Sequence, residues 1–297
     1  LARCMAKQAI RLNTNYVVAV SGGVDSVVLL DMLVRKNAVP SDHLLVAHFD
    51  HGIRPDSVND VALVRELAKK YGLRFETKRE ELGAGASEEL ARTRRYEFLR
   101  RVAKKHQAKI VTAHHADDAV ETIAINLTRG TGWRGLAVLD SSDIVRPLLG
   151  MKKSQLITYA KKHKLQWNED STNSDTSYLR NDVRQRLALA NDDDTHQLLQ
   201  LYRKRQLFLR KQIDNETDRF VGASPYRRSM YIMTASEAAM ELLRAVFIKE
   251  NGWAPTRPQL ERALLAIKTL PAGKSHDVAA GVRLRFTSTH FVVERSW

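Results

Sequence analysis

Tyr16-Val17-Val18-Ala19-Val20-Ser21-Gly22-Gly23-Val24-Asp25-Ser26 is the stretch on which the fold turns. Its first five residues are uncharged and mostly β-branched or aromatic, which predicts a buried strand. Val27-Val28-Leu29-Leu30-Asp31-Met32-Leu33 then opens a helix. Between the two, a pair of glycines lets the backbone turn sharply and approach a ligand closely. The hydroxyls of Ser21 and Ser26, with the free N–H groups of a helix start, make an anion site aided by the helix dipole. An ordinary strand-to-helix turn is the plain alternative. The density of small and hydroxyl residues around one carboxylate, Asp25, favours phosphate. The stretch is not a Walker loop, which needs G-x-x-x-x-G-K-[ST] with a lysine for the terminal phosphates. Gly273-Lys274-Ser275 imitates the end of that motif, but Lys268 stands where its first glycine belongs.

Outward from this turn, apolar runs alternate with helical periodicity. Residues 44–49 form a second strand-like run ending in Asp50-His51-Gly52, 58–71 a helix that stops at Gly72, and 73–77 a third strand. Residues 87–106 predict a long basic helix. Residues 109–113 predict a fourth strand ending in His114-His115-Ala116-Asp117-Asp118, with a helix following through Asn126. A fifth strand is expected over 143–148 and another helix over 152–164. Such alternation predicts βαβ units: an α/β fold with an open, mainly parallel sheet and helices on both faces. From about residue 195 the pattern changes to one long charged helix over 196–219 and then short helical and strand-like pieces. The expected organisation is a catalytic domain over 1–190, a linker helix over 191–219 and a small, mainly helical C-terminal domain over 220–297.

Three strands thus end in polar clusters: the Ser21–Ser26 turn, Asp50-His51-Gly52 and His114-His115-Ala116-Asp117-Asp118. In an open parallel sheet ligands bind outside the carboxyl ends of the strands, so the three clusters converge on one crevice. Adjacent histidines on a strand end point to opposite faces, which argues against a shared zinc ion. Asp117 and Asp118 precede Glu121 by four and three residues and share a helix face with it. A carboxylate group there suits Mg²⁺ beside phosphates. It equally suits binding and deprotonating an amine.

Composition narrows the partners. The 297 residues include 48 Lys and Arg against 34 Asp and Glu, a formal net charge of +14. That excess points to an extended anionic partner, nucleic acid before a membrane surface. The arginines and lysines of the 87–106 helix (Arg92, Arg94, Arg95, Arg100, Arg101, Lys104, Lys105) and of 203–211 are candidates for RNA contact or for a solvated face. Cys4 is the single cysteine, so an intrachain disulfide is excluded and a reducing compartment fits. No apolar run approaches the ~20 residues of a membrane span. Leu1-Ala2-Arg3-Cys4-Met5 lacks the apolar core of a secretory signal.

The turn resembles the SGGxDS loop of the PP-loop, or N-type, ATP pyrophosphatases. These enzymes split ATP between its α- and β-phosphates and adenylate an oxygen. Further segments make the resemblance specific. They are His48-Phe49-Asp50-His51-Gly52-Ile53-Arg54, Ala91-Arg92-Thr93-Arg94-Arg95-Tyr96, Ala113-His114-His115-Ala116-Asp117-Asp118 with Glu121-Thr122, Arg129-Gly130-Thr131-Gly132-Trp133-Arg134-Gly135-Leu136, Arg146-Pro147-Leu148-Leu149 and Tyr178-Leu179-Arg180-Asn181-Asp182-Val183-Arg184. Over residues 16–187 the chain resembles the tRNA(Ile)-lysidine synthetase family of PP-loop enzymes. It departs from that pattern at Ala119, where the family usually has glutamine.

The resemblance implies an adenine nucleotide alpha hydrolase-like fold and an ATP-dependent ligase. Its reaction replaces the C2 oxygen of the wobble cytidine of a CAU-anticodon tRNA(Ile) by the side-chain amine of free lysine. AMP and pyrophosphate are released. Carried onto this chain, Ser21, Gly22, Gly23, Val24, Asp25, Ser26, His48 and His115 bind ATP, and Asp25 holds Mg²⁺. Asp118 and Glu121 bind and activate the lysine amine, and Arg92 orients substrate. Arg129, Gly130 and Gly132 form a loop near the cytidine, and Arg180 and Arg184 meet phosphate or developing charge. A cytoplasmic setting without membrane attachment follows, the C-terminal domain binds tRNA or supports the fold, and a homodimer is left open. Two rivals remain. A PP-loop tRNA thiolase would use active-site cysteines or an iron–sulfur cluster, which Cys4 alone does not supply. A non-catalytic nucleic-acid-binding protein on a decayed nucleotide fold sits poorly with an intact Ser21–Ser26 loop beside intact carboxylates.

Overall fold

The computed structural model describes residues 10–11, 13–35, 38–53, 57–83, 85–168, 183, 193–279 and 281–295. The chain divides into two compact units, Leu1–Gln206 and Leu207–Trp297.

The first unit is built on five parallel strands in the order β3-β2-β1-β4-β5. These are β1 (Asn15–Ala19), β2 (Leu44–Asp50), β3 (Arg74–Arg79), β4 (Ala108–Val111) and β5 (Ile144–Val145). β1 is central: it pairs with β2 on one side, Val18 opposite Val46, and with β4 on the other, Val18 opposite Val111. Strand order reverses at β1, which opens a crevice at its carboxyl end. Helices α1 (Val24–Arg35), α2 (Ser57–Lys70), α3 (Glu88–Lys105), α4 (Ala116–Thr128) and α5 (Lys153–Lys162) follow their strands. Alternation along β1 sorts the two faces. Tyr16 and Val18 pack with Leu29, Leu30 and Leu33 of α1 and with Leu156 of α5, whereas Val17 packs with Leu99 and Val102 of α3. Both faces of the sheet are therefore apolar, as the unbroken runs of the sequence predict.

A buried carboxylate ties the α1 face together. Asp31 is wholly buried. It accepts hydrogen bonds from Tyr71 Oη at 2.6 Å, Tyr159 Oη at 2.9 Å and Arg35 Nε at 2.7 Å. Burial works against its charge, but these donors outweigh it and hold its pKa below the ordinary value. Tyr159 is pushed up to about 12 by burial and by its bond to Asp31.

A long helix, α6 (Asp193–Phe220), follows as a single element. The second unit then contains β6 (Tyr226–Arg227), α7 (Arg228–Met233), α8 (Ser236–Asn251), α9 (Arg257–Thr269) and the strands β7 (Ser275–Ala279), β8 (Val282–Phe286) and β9 (His290–Arg295). Its antiparallel sheet has the order β6-β9-β8-β7. Phe247, Ile267, Leu284, Phe286 and Phe291 form its core. The Walker look-alike lies here in a turn: Gly273 N–H donates to the Phe286 carbonyl and Phe286 N–H returns to that of Lys274. It joins no strand to a helix. Among the described residues, no helix is long and apolar enough to cross a membrane.

Candidate functional site

The turn between β1 and α1 is held by its own hydroxyls. Ser26 Oγ donates to the Gly23 carbonyl at 2.8 Å and accepts from Ser21 N–H at 3.2 Å. The Ser21 and Ser26 hydroxyls lie 3.2 Å apart. Gly22 takes φ +100°, and a Cβ there would meet Asp60 Oδ1 at 3.2 Å, so glycine is required on both counts. The turn is also fixed from outside, because Asn168 N–H donates to the Gly22 carbonyl at 3.0 Å and Asn168 Nδ2 to Asp60 Oδ1 at 2.8 Å.

Beside the turn lies a cluster of charges. His115 precedes α4 as its cap, and its backbone N–H donates to Asp118 Oδ2 at 2.8 Å. Its ring Nδ1 is 3.2 Å from Asp117 Oδ2, while Nε2 is 3.5 Å from Asp118 Oδ2 and 3.8 Å from Asp25 Oδ2. Burial disfavours the imidazolium, but the bond to Asp117 and the charges of Asp118 and Asp25 outweigh it and raise its pKa. Burial likewise opposes the charge of Asp117, yet bonds from His115 and from Lys153 N–H bring it down to about 2. Lys153, the first residue of α5, places Nζ 2.7 and 2.6 Å from the two carboxylate oxygens of Asp25. His196 of α6 stands 3.6 Å from Asp117 Oδ1. Sequence reasoning did not single out Lys153, Asp117 as a hub or His196.

A cleft of about 250 Å³ opens at the carboxyl ends of β1, β2 and β4. It is lined by Ser21, Gly23, Asp25 and Ser26 of the turn, by Ala47 and Phe49 of β2, by Tyr96 and Leu99 of α3, and by His114 and Asp118. His48 does not line it. Strand alternation turns Ala47, Phe49 and His51 toward the cleft and His48 to the other face. There His48 donates from Nδ1 to the Val20 carbonyl at 2.8 Å, directly under the turn. Burial holds its pKa below the usual value. The same rule separates the adjacent pair at β4: His114 faces the cleft and His115 the charge cluster.

The sequence profile of the PP-loop domain matches residues 2–190, more than half the chain. The chain belongs to the PP-loop family. Among curated relatives, a tRNA(Ile)-lysidine synthase of Exiguobacterium sibiricum is 42% identical over 177 residues, 57% of this chain and 42% of that protein. The Bifunctional protein TilS/HprT of Listeria monocytogenes is 37% identical over 191 residues, 60% of this chain and 30% of that protein. The chain therefore spans well under half the length of these relatives. Among solved structures, the U34-tRNA thiolase NcsA of Methanococcus maripaludis, with its [4Fe-4S] cluster, aligns at a TM-score of 0.57. It is 17% identical and covers 69% of this chain and 77% of that one, a likeness of fold.

Within the PP-loop frame the remaining candidate residues divide. Asp118 lines the cleft, and Glu121, one turn further along α4, is buried. Arg92 and Arg95 of α3 lie over the Tyr96 ring at 5.1 and 5.6 Å, Tyr96 and Arg95 being cleft residues. Arg129 caps the end of α4, and Gly130 and Gly132 follow it in an exposed loop. Arg180 and Arg184 lie outside the described residues. The basic helix is less free than its charge suggests. Arg94 pairs with Glu80 and Glu97, Arg100 with Asp143 and Lys105 with Glu76. In α6, Arg203 is buried and donates to the Val138 carbonyl at 3.0 Å, which makes it a packing residue. For a divalent cation, no group of three His, Cys, Asp or Glu suited to an ion occurs among the described residues. Asp25 offers one carboxylate to an ion that arrives with phosphates, which is how Mg²⁺ is commonly held.

Proposed function

We propose that this chain carries the adenylating and ligating centre of a tRNA(Ile)-lysidine synthetase, acting on a CAU-anticodon tRNA(Ile), ATP and free lysine in the cytoplasm. One observation carries the reading: a single cleft joins the phosphate turn, through Asp25 and Ser26, to Asp118 on α4. The likeness to curated tRNA(Ile)-lysidine synthases over the same residues supports it.

In this reading the N–H groups of Gly22, Gly23 and Val24 and the hydroxyls of Ser21 and Ser26 hold the triphosphate. The apolar lining residues Ala47, Phe49 and Leu99 take the base. His48 acts through the turn rather than by touching nucleotide, since its ring bonds Val20 from beneath. The C2 oxygen of the cytidine attacks the α-phosphorus and pyrophosphate leaves. That step turns a poor leaving group into a good one. Asp25 would hold Mg²⁺, which would supply charge neutralisation to the phosphates. Asp118 and Glu121 bind the lysine ammonium and accept a proton, because a protonated amine is no nucleophile. The freed amine attacks C2, the C2–O bond breaks and AMP departs. His115, between Asp25 and Asp118, keeps the two carboxylates from repelling one another. Arg92 orients the substrate, the Arg129–Gly130–Gly132 loop closes on the cytidine, and Arg180 and Arg184 stabilise phosphate charge.

Mass spectrometry of tRNA(Ile) incubated with the protein, ATP and lysine tests this directly. The expected product is heavier by one lysine less one water, with AMP and pyrophosphate formed in equal amount. A tRNA of unchanged mass, or one in which sulfur replaces oxygen, overturns the proposal.

A further inference from the structure

The phosphate turn brings no cation of its own. Its one charged residue between Ser21 and Ser26 is Asp25, an anion. Asp118 lines the same cleft and Asp117 stands behind it, joined through His115. A polyphosphate entering there meets carboxylates as well as N–H groups. Arg95 of α3 lines that cleft, but the cation bonded to Asp25 itself comes from 128 positions further along the chain, where Lys153 Nζ sits 2.7 and 2.6 Å from the Asp25 oxygens.

Three observations mark this pair as an exchange point. Its side chains are 40% and 28% exposed. An ion pair in contact with water is weak, so separating it costs little. The lysine backbone, by contrast, is anchored: it opens α5 and donates its N–H to Asp117 Oδ2 at 2.8 Å. Only the side chain is left to swing. Finally, Asp25 lines the cleft with Ser21, Gly23 and Ser26, which puts the ammonium within side-chain reach of whatever the turn holds. A compact ammonium on a flexible stem, with three donors, suits such a change of partner.

We propose that Lys153 is a phosphate-binding residue of this site. Without nucleotide its ammonium neutralises Asp25; with nucleotide it passes to a phosphate oxygen and releases the Asp25 carboxylate. The proposal rests on the reading that the turn binds ATP, and it places on α5 the lysine that a Walker loop carries within its own sequence.

Calorimetric titration of inorganic pyrophosphate and, separately, ATP tests it, in EDTA and without tRNA or lysine. Lys153→Gln is expected to weaken both anions about ten- to a hundredfold, the worth of a charged hydrogen bond. Lys153→Arg should restore most of that loss. Asp25→Asn frees the lysine and is expected to tighten metal-free pyrophosphate by up to about fivefold, the worth of an exposed pair. Made in the Lys153→Gln background, Asp25→Asn should gain less, because only the relief of like-charge repulsion is left. Unchanged anion affinity in Lys153→Gln, or an equal Asp25→Asn gain with and without the lysine, makes the pair a strut and overturns the proposal. A wild-type protein that binds neither anion overturns the nucleotide reading itself, and this inference with it.

Discussion

Helix α1 carries two aspartates whose surroundings differ in almost every respect. Asp25, in its first turn, faces an open cleft and is met by one partly exposed lysine, with an imidazole nearby. Asp31, less than two turns on, is sealed in the core and is met by two tyrosine hydroxyls and an arginine. One carboxylate meets a cation at the edge of a cleft, and the other two hydroxyls on the α1 face of the sheet with an arginine that itself reaches water. The difference separates a site from a brace. Polar residues beside one another on the same helix are not one feature, and what surrounds each decides whether it serves chemistry or stability.

The contrast breaks most heavily at the brace. Asp31→Ala leaves both tyrosine hydroxyls without their acceptor inside the core, at an expected loss of about 3–5 kcal/mol. Urea unfolding measures it, and a loss below about 1 kcal/mol would make the brace dispensable. At the site the effect should appear in activity. Asp25→Ala is expected to cut ATP-dependent pyrophosphate release by about a hundredfold or more. Its unfolding midpoint should stay within the ~0.5 kcal/mol typical of a surface change. Full pyrophosphate release from that variant would remove Asp25 from the reaction.

Glu121→Gln sharpens the comparison inside the site. It keeps the shape of the side chain and removes its charge. The apparent constant for lysine should rise about ten- to a hundredfold while that for ATP holds. A rise for ATP alone would move Glu121 to the phosphate side. The smallest effect lies in pH. The raised pKa of His115 means that its stabilisation is full below the ordinary value of 6.5 and is lost as pH rises through the raised one. The lowered pKa of Asp31 means that its stabilisation is present above the ordinary value of 3.8 and fades as pH falls through the lowered one. His115→Gln should therefore flatten the stability profile on the neutral-to-alkaline side alone, and Asp31→Asn on the acid side alone. Urea midpoints across about pH 3 to 9 measure both, and a common profile for the two variants would erase the distinction.

Most of the first unit is legible in the chain. An apolar run, two glycines and a helix start leave little choice at β1 and α1, and the polar strand endings follow from the parallel sheet. Strand lengths are less legible. β5 is confined to Ile144–Val145 where residues 143–148 read as strand, because Arg146 turns inward to donate to the Leu139 carbonyl. Histidines were harder. The family resemblance implies His48 as a nucleotide residue, but the strand's twofold period gives the cleft His51 and places His48 beneath the turn. Lys153 carries no local signal at all: its neighbours read as an ordinary helix start, and its partner is a long-range contact. In the second unit, β8 and β9 form a hairpin whose reversal carries no glycine to announce it.

The bond from Asn168 to the Gly22 carbonyl has a consequence for how quickly the turn can capture a ligand. A phosphate-binding loop that must first be gathered makes every encounter wait on its own rearrangement. Here the carbonyl behind Gly22 is already engaged, and the same asparagine clamps Asp60 against the glycine. A turn held this way in advance is expected to capture a ligand at a rate set by arrival rather than by assembly. The exchange rate of the Asn168 amide hydrogen becomes a clock for the loop, slow while the turn is set and fast whenever it comes undone.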